Sequence, residues 1–369
     1  MGILRFLLAI TVVLAHSSPI FGFSFVSAPI AVQSFYIISG FYMTLILNEK
    51  YVGVNGSYKL FISNRFLRLY PIYWIVLFLT VAYCIAIAVH SHGKHWGNLD
   101  IYAAHFDSMS FSSFTFLVFT NLFLFLQDVV MFLGLNTTTG HLFPTANFKE
   151  TNPMLYEFLL IPQAWTIGIE IAFYLIAPFL VRRKLKIIIP LIIVSLILRL
   201  VLYYRLGLQY DPWTYRFFPT EVVFFLLGIV SYHMYRKLRT QEIKDIYLKL
   251  IWFGILGFTV FYNFLPIPAK SYLYLIAFFV ALPFVFILTK SWKRDSYIGE
   301  LSYPIYISHM LILTLIIGRK IPVIGGLGLT LTILTIVFSV ILNELVAKKI
   351  EKLRQKRVKT KVNNAGVLT

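Results

Sequence analysis

Long apolar runs recur along the whole 369-residue chain and constrain its fold more than any other feature. Eleven of them can form helices, at residues 3–23, 28–47, 69–89, 114–134, 157–181, 184–204, 217–235, 248–265, 271–290, 301–318 and 322–347. Most approach the roughly 20 residues that cross a hydrocarbon core of about 30 Å. With 59% hydrophobic and 13% charged residues, the chain is too apolar for a soluble globule. The runs predict one all-α integral membrane domain over residues 1–347 and a basic cytoplasmic tail at 348–369.

The positions of the basic residues predict the topology. The chain has 33 Lys and Arg against 15 Asp and Glu, which gives a net charge of +18. Lys and Arg collect in cytoplasmic loops, and 25 of the 33 share one side if the run at 114–134 does not cross. We expect about ten transmembrane helices, cytoplasmic N- and C-termini, and a re-entrant or interfacial segment at about 114–134. A cleaved signal peptide ending at Ala28 is the alternative for the first run, and the polar residues of that run argue against it.

Ionisable side chains at membrane depth mark the candidate catalytic residues. Each costs roughly 2.5–3.5 kcal/mol to insert, so each calls for a partner or a function. Arg5 and His16 are close to three helical turns apart, which puts them on one helix face about 16 Å from each other. Glu170 lies half-way through the fifth run, in a polar stripe with Thr166 and Tyr174. An imidazole and a carboxylate can form an acid/base pair, so we expect His16 and Glu170 to be catalytic.

Two further runs carry polar residues with weaker signals. Ser302, Tyr306 and His309 follow helical spacing in the tenth run, and Ser39-Gly40 interrupts the second. A glycine permits close approach of another backbone or of a ligand. For any one of these residues, the simpler interpretation is a hydrogen bond or close contact that packs two helices.

Arg65 and Arg68 form a candidate phosphate-binding pair at the start of the third run. Their i, i+3 spacing lets both guanidinium groups project from one side of a helix, and arginine binds phosphate bidentately. The positive-inside rule is the alternative explanation for these two residues. We interpret the basic C-terminal run as a solvated tail or a lipid-surface contact.

Other chemistry has little support in the sequence. The histidines of residues 90–105 have no cysteine or carboxylate at matching spacing, so a wet loop is favoured over a metal site. No phosphate-binding loop or dinucleotide fingerprint is present, and no soluble basic domain indicates nucleic-acid binding.

Five segments, in order along the chain, resemble the family-three acyltransferases, which are membrane enzymes that mostly O-acetylate bacterial glycans. They are residues 4–16 (LRFLLAITVVLAH), 34–41 (SFYIISGF), 65–71 (RFLRLYP), 164–174 (AWTIGIEIAFY) and 301–309 (LSYPIYISH). Tyr36 and Thr166 replace the family's usual Phe and Ser. Ile171 replaces a second Glu, which leaves Glu170 as the candidate carboxylate of that motif.

The resemblance implies ten spans, an acyl-CoA donor, most often acetyl-CoA, and a sugar hydroxyl as acceptor. It also implies that Arg5 and His16, together with Arg65 and Arg68, matter for activity. We expect Arg5, Arg65 and Arg68 to bind the donor. The residues expected to shape the substrate cavity are Ser39, Gly40, Trp165, Tyr174, Tyr303 and His309.

The predicted function is acyl transfer, with acetyl expected, from acyl-CoA to a hydroxyl of a cell-surface polysaccharide or lipid-linked glycan such as a lipopolysaccharide O-antigen. The expected location is the bacterial cytoplasmic (inner) membrane, with membrane lipid and the glycan as partners and no metal. A transporter or flippase of a lipid-linked sugar or organic anion is the alternative, because it also needs polar residues in the membrane.

Overall fold

The computed structural model describes residues 1–53 and 56–365, with side chains up to residue 358. The helices are α1 (Gly2–Ala15), α2 (Ala28–Glu49), α3 (Tyr58–His90), α4 (Asp100–His105), α5 (Phe111–Phe123), α6 (Trp165–Leu180), α7 (Leu185–Tyr204), α8 (Phe218–Leu238), α9 (Asp245–Phe261), α10 (Lys270–Thr289), α11 (Lys293–Glu300), α12 (Ser302–Gly318), α13 (Leu327–Leu342) and α14 (Lys348–Ala365). In these ranges the sheet consists of β1 (Leu133–Leu135) paired antiparallel with β2 (Leu142–Pro144).

The fold class predicted from the apolar runs is confirmed: the chain is an all-α multi-pass membrane protein. Nine described helical segments are long and apolar enough to cross a membrane. They are Ala28–Glu49, Tyr58–His90, Pro162–Leu180, Leu185–Tyr204, Phe218–Leu238, Asp245–Phe264, Lys270–Thr289, Lys293–Gly318 and Leu327–Val358. The cytoplasmic location of the two termini stays a prediction.

The first apolar run forms a shorter helix than its predicted range of 3–23. Helix α1 has 14 residues and ends at Ala15. At 1.5 Å per residue it is about 21 Å long, less than a hydrocarbon core of about 30 Å. Ser17, Ser18 and Pro19 follow shortly after this end, and a proline disfavours helical geometry at the residue before it. His16 therefore lies at the C-terminal end of α1 and not inside it.

The run at 114–134 does not form a long helix. Helix α5 has 13 residues, about 20 Å, and the chain leaves it at Leu124 with φ +60°. Three aromatic residues of α3 donate hydrogen bonds to its last carbonyls: Tyr73 to Asn121 (2.5 Å), Trp74 to Leu122 (2.8 Å) and Tyr70 to Phe123. Unpaired carbonyl groups are costly in a membrane, so these bonds let the helix end inside the protein. The geometry agrees with a re-entrant or interfacial segment.

The chain folds into two compact units. Unit 1 contains residues 1–68, 174–195 and 221–369, and unit 2 contains residues 69–173 and 196–220. Within unit 1, α1 packs against α2, α11, α12 and α13, and α9 packs against α10. Unit 2 holds α5, the β-hairpin and most of α3. The single-domain boundaries of 1–347 stay a prediction.

The basic tail, expected from the sequence to be solvated or to contact the lipid surface, forms a helix. Residues 343–347 form a turn of π-helix that joins α13 to α14, so the last apolar run continues as a basic helix. Arg354 and Val358 of α14 are buried, whereas Lys352 and Lys356 are exposed. One face of α14 therefore packs against the protein.

Candidate active site

Two histidines from opposite ends of the chain meet in unit 1. The ring of His16, at the end of α1, lies 5.0 Å from the ring of His309 on α12, at an interplanar angle of 47°. His309 is completely buried, whereas His16 is exposed. The imidazole partner of His16 within unit 1 is therefore His309, which the sequence assigned only to the cavity wall.

Backbone carbonyls hold both rings in one tautomer. Nδ1 of His16 donates to the Val12 carbonyl (2.9 Å), and Nδ1 of His309 donates to the Tyr306 carbonyl (2.8 Å). A neutral imidazole with a hydrogen on Nδ1 has its lone pair on Nε2, so Nε2 of each ring can accept a proton. Nε2 of His309 is buried and has no hydrogen-bond partner among the described residues.

The start of α1 is fixed by a carboxylate of α11. Asp295 accepts hydrogen bonds from the backbone N–H groups of Gly2 (2.7 Å) and Ile3 (2.9 Å). This is the geometry of an N-terminal cap, which satisfies donors that the helix itself leaves free. The backbones also approach closely, since a Cβ on Gly2 would lie 1.6 Å from the Asp295 carbonyl oxygen. Asp295 thereby sets the position of the helix that carries the candidate catalytic histidine.

Arg5 lies on the same helix and is held by α12. Its guanidinium donates to the Ser302 hydroxyl at 3.0 Å, and its Cζ atom lies 6.0 Å from the centre of the Tyr42 ring. Helices α1 and α12 thus carry two polar pairs, Arg5 with Ser302 and His16 with His309. The predicted common face of Arg5 and His16 fits this pairing.

Arg65 and Arg68 lie on the part of α3 that belongs to unit 1. Arg65 is only 7% exposed, and its Nε atom has no hydrogen-bond partner among the described residues. Arg68 is partly buried. A buried N–H group without an acceptor is costly, and a phosphate oxygen could supply one here.

Of the other residues assigned to the cavity in unit 1, Gly40 has a packing role in the structure. Gly40 lets α2 approach α8, because a Cβ at this position would lie 2.0 Å from the Phe225 carbonyl oxygen. Ser39 and Tyr174 are buried and Tyr303 is partly buried. The assignment of Ser39, Gly40, Tyr174 and Tyr303 to a substrate cavity stays a prediction.

Glu170 and Trp165 belong to unit 2, on α6. Glu170 is partly buried. The indole of Trp165 is buried, with the Arg216 guanidinium 4.3 Å from its ring centre, and Arg216 pairs with Asp211 (2.5 and 3.0 Å). Since His16 and Glu170 fall in different units, their predicted pairing stays a prediction.

Two buried carboxylates were missed in the sequence. Glu221 on α8 is fully buried and accepts a hydrogen bond from Gln33 at 3.3 Å. Asp128, in the turn after α5, is 8% exposed, and burial raises its pKa to about 7. The Asp128 carboxylate lies against Gly168, where a Cβ would come within 2.9 Å of its oxygen. Both residues lie inside apolar runs of the sequence, and a charged residue in such a run is itself an indication of a functional or paired group.

Among the described residues, no three His, Cys, Asp or Glu side chains lie close enough together to bind a metal ion. The groups available are instead two imidazoles with accepting nitrogens and several guanidiniums. Such groups can bind an anionic donor and remove a proton from a hydroxyl.

Residues 1–344 match the acyltransferase domain that defines acyltransferase family three. Since the match covers nearly the whole chain, the protein belongs to this family, and the resemblance noted in the five segments is confirmed. It is a membrane acyltransferase. The chain matches no curated protein and no solved structure.

Proposed function

We propose that this protein transfers an acyl group, with acetyl expected, from acyl-CoA to a hydroxyl of a cell-surface or lipid-linked glycan. The single observation that carries the proposal is the fixed tautomer of His16. Its Nδ1 donates a hydrogen bond to the Val12 carbonyl, which leaves an accepting Nε2 on an exposed ring at the end of a helix shorter than the hydrocarbon core. A histidine held in this way is suited to act as a general base.

The proposed reaction is a single displacement. Arg65 and Arg68 bind the phosphates of the donor, and Arg5 holds the donor on the face of α1 that leads to His16. Nε2 of His16 takes the proton of the acceptor hydroxyl as the oxygen attacks the thioester carbonyl. The C–S bond then breaks, and the thiolate of CoA recovers the proton from the imidazolium. The products are an ester and free CoA.

A covalent variant of the same site is also open. In this version Nε2 of His16 attacks the thioester carbonyl, the C–S bond breaks, and CoA leaves as the thiolate, which takes a proton from water. The glycan hydroxyl then attacks the acyl-imidazolium, releases its proton to water, and frees neutral His16. It fits a donor and an acceptor on opposite sides of the membrane. Labelled acetyl-CoA supplied without acceptor distinguishes the two versions. Only the covalent version leaves label on the parent protein, and the His16→Ala variant should then remain unlabelled.

Family membership favours an enzyme over the transporter considered from the sequence. The test in cells is mass spectrometry of surface glycans from bacteria that produce the parent protein, His16→Ala, or neither. We expect glycan acylation with the parent protein alone. Acylation that is the same in all three, together with altered export of the glycan, would support a transporter instead.

The control variant is His95→Ala. His95 lies in the loop after α3 and is 74% exposed, so its removal takes away an imidazole without touching the α1–α12 pair. We expect glycan acylation in His95→Ala to equal that of the parent protein.

A further inference from the structure

The C-terminal helix α14 brings two more arginines to the segment of α3 that carries Arg65. Arg357 donates from two guanidinium nitrogens to the Asn64 side-chain oxygen (2.9 Å) and the Ser63 hydroxyl (2.8 Å). Asn64 is fully buried. These bonds attach α14 to α3 immediately beside the candidate phosphate-binding pair.

Arg354 lies one helical turn before Arg357 and faces the same segment. It is 6% exposed, and the charges of Arg65 and Arg68 act on it electrostatically. It forms an ion pair with Glu351, one turn earlier on α14. Three guanidiniums are therefore gathered at this end of unit 1, with Arg357 beside them.

The charges of this cluster do not balance. Among the described residues, the carboxylate that interacts with this group of four arginines (Arg65, Arg68, Arg354 and Arg357) is that of Glu351, which pairs with Arg354 and interacts electrostatically with Arg68. The Nε atoms of both Arg65 and Arg354 are buried and have no hydrogen-bond acceptor among the described residues. Like charges and unpaired N–H groups in a buried place are costly unless an anion compensates them.

The positive-inside rule explains why basic residues are here, but it does not explain their burial. Residues that serve only topology or lipid contact keep their charged ends in water. Lys352 and Lys356 on the same helix are exposed in this way, whereas Arg354 is not. Burial therefore distinguishes Arg354 from these two lysines of the same helix.

We propose that α14 completes a polyphosphate-binding site, in which Arg354 joins Arg65 and Arg68 in binding phosphate oxygens. The proposal rests on the acyl-CoA donor proposed above, whose nucleotide end carries a pyrophosphate and a 3′-phosphate. Arg357 holds α14 in place for this role. Helix α14 begins after residue 344, where the family match ends, so the chain adds this contribution outside the matched domain. A phosphate-bearing anionic lipid is the other source of the same chemistry.

The test measures binding by the full-length protein in a neutral detergent, using acetyl-CoA and S-acetylpantetheine, which lacks the nucleotide and its phosphates. The variants are Arg354→Gln and Arg65→Gln, with Lys352→Gln as the control. Lys352→Gln makes the same charge change on the exposed face of α14. Thermal unfolding of each variant reports folding, and Arg354→Lys replaces Arg354→Gln if the latter does not fold.

We expect Arg354→Gln and Arg65→Gln each to weaken acetyl-CoA binding by about 10- to 100-fold, the loss typical of a hydrogen bond to a charged group. Arg354→Lys should fall between Arg354→Gln and the parent, because an ammonium keeps the charge and loses the planar fork. Lys352→Gln should bind acetyl-CoA as the parent does. No variant should change binding of S-acetylpantetheine.

Three results would overturn the proposal, and they have different meanings. If Arg65→Gln weakens acetyl-CoA binding while Arg354→Gln matches Lys352→Gln, α14 is not part of the site and the proposed function stands. If the folded parent protein binds no acetyl-CoA, the donor class of the proposed function is wrong as well. If Arg354→Gln keeps acetyl-CoA affinity but loses phosphatidylglycerol adducts in native mass spectrometry, the cluster binds lipid.

Discussion

The buried carboxyl of Asp128 makes stability depend on pH in a defined direction. Burial raises its pKa from 3.8 to about 7. Between pH 3.8 and about pH 7, the folded protein therefore keeps this proton, whereas the unfolded chain has lost it. This stabilisation is complete below about pH 4 and is lost as pH rises to about 7. The difference between a pKa of 3.8 and one of about 7 corresponds to roughly 4 kcal/mol of stability.

Asp128→Asn removes this dependence, because the amide is neutral at every pH and can still accept the hydrogen bonds that the carboxylate receives from backbone N–H groups. At pH 8 we expect the variant to be more stable than the parent protein by about 2–4 kcal/mol, and at pH 4 the two should be similar. Unfolding in detergent by chemical denaturant, measured from pH 4 to pH 9, gives both values.

Asp107→Asn is the matched control, since Asp107 lies in an exposed turn of the same unit. It should leave the pH dependence of the parent protein unchanged. The reasoning would be refuted if Asp128→Asn and the parent protein lost stability equally between pH 4 and pH 8.

Three further predictions concern helix α1, helix packing and topology. Asp295→Ala removes the cap of α1 and should lower the free energy of unfolding by about 1–2 kcal/mol, with a fall in activity because α1 carries His16; denaturation and transfer assays measure both. Gly40→Ala forces a methyl group onto the Phe225 carbonyl and should cost about 1–3 kcal/mol. Gly254→Ala, inside α9 with nothing within 4 Å, should instead stabilise by about 0.5–1 kcal/mol in the same denaturation assay. Reporter fusions at Gly140 and Arg239 should read external and cytoplasmic; a cytoplasmic signal at Gly140 would contradict the non-crossing segment.

The apolar runs predict the fold class because hydropathy alone decides whether a segment can lie in a membrane. They do not predict where each helix ends, since that depends on local backbone chemistry. The first run is apolar to residue 23, yet α1 ends at Ala15, just before Ser17 to Pro19. In the run at 114–134 the helix stops at Phe123, where side chains of α3 donate hydrogen bonds to its last carbonyl groups. Such partners, distant in sequence, are invisible to a hydropathy pattern.

The site shows the same division between what the sequence contains and what packing adds. Helical spacing predicts a common face for Arg5 and His16, but it cannot show that the His16 ring meets His309. Asp295 gave no signal as a helix cap because the backbone N–H groups that donate to it lie at the other end of the chain. Arg354 is one of many basic residues in a basic tail, and only burial sets it apart. Contacts between distant segments carry this information.

The most direct measurement is the initial rate of transfer from labelled acetyl-CoA to a glycan acceptor by purified parent protein, His16→Ala and His95→Ala. Loss of a general base typically lowers the rate by about 100- to 10,000-fold, so His16→Ala should be slower by that factor while remaining folded. His95→Ala should match the parent protein. A folded His16→Ala that transfers the acyl group at nearly the parent rate would contradict the account and return His16 to a packing role.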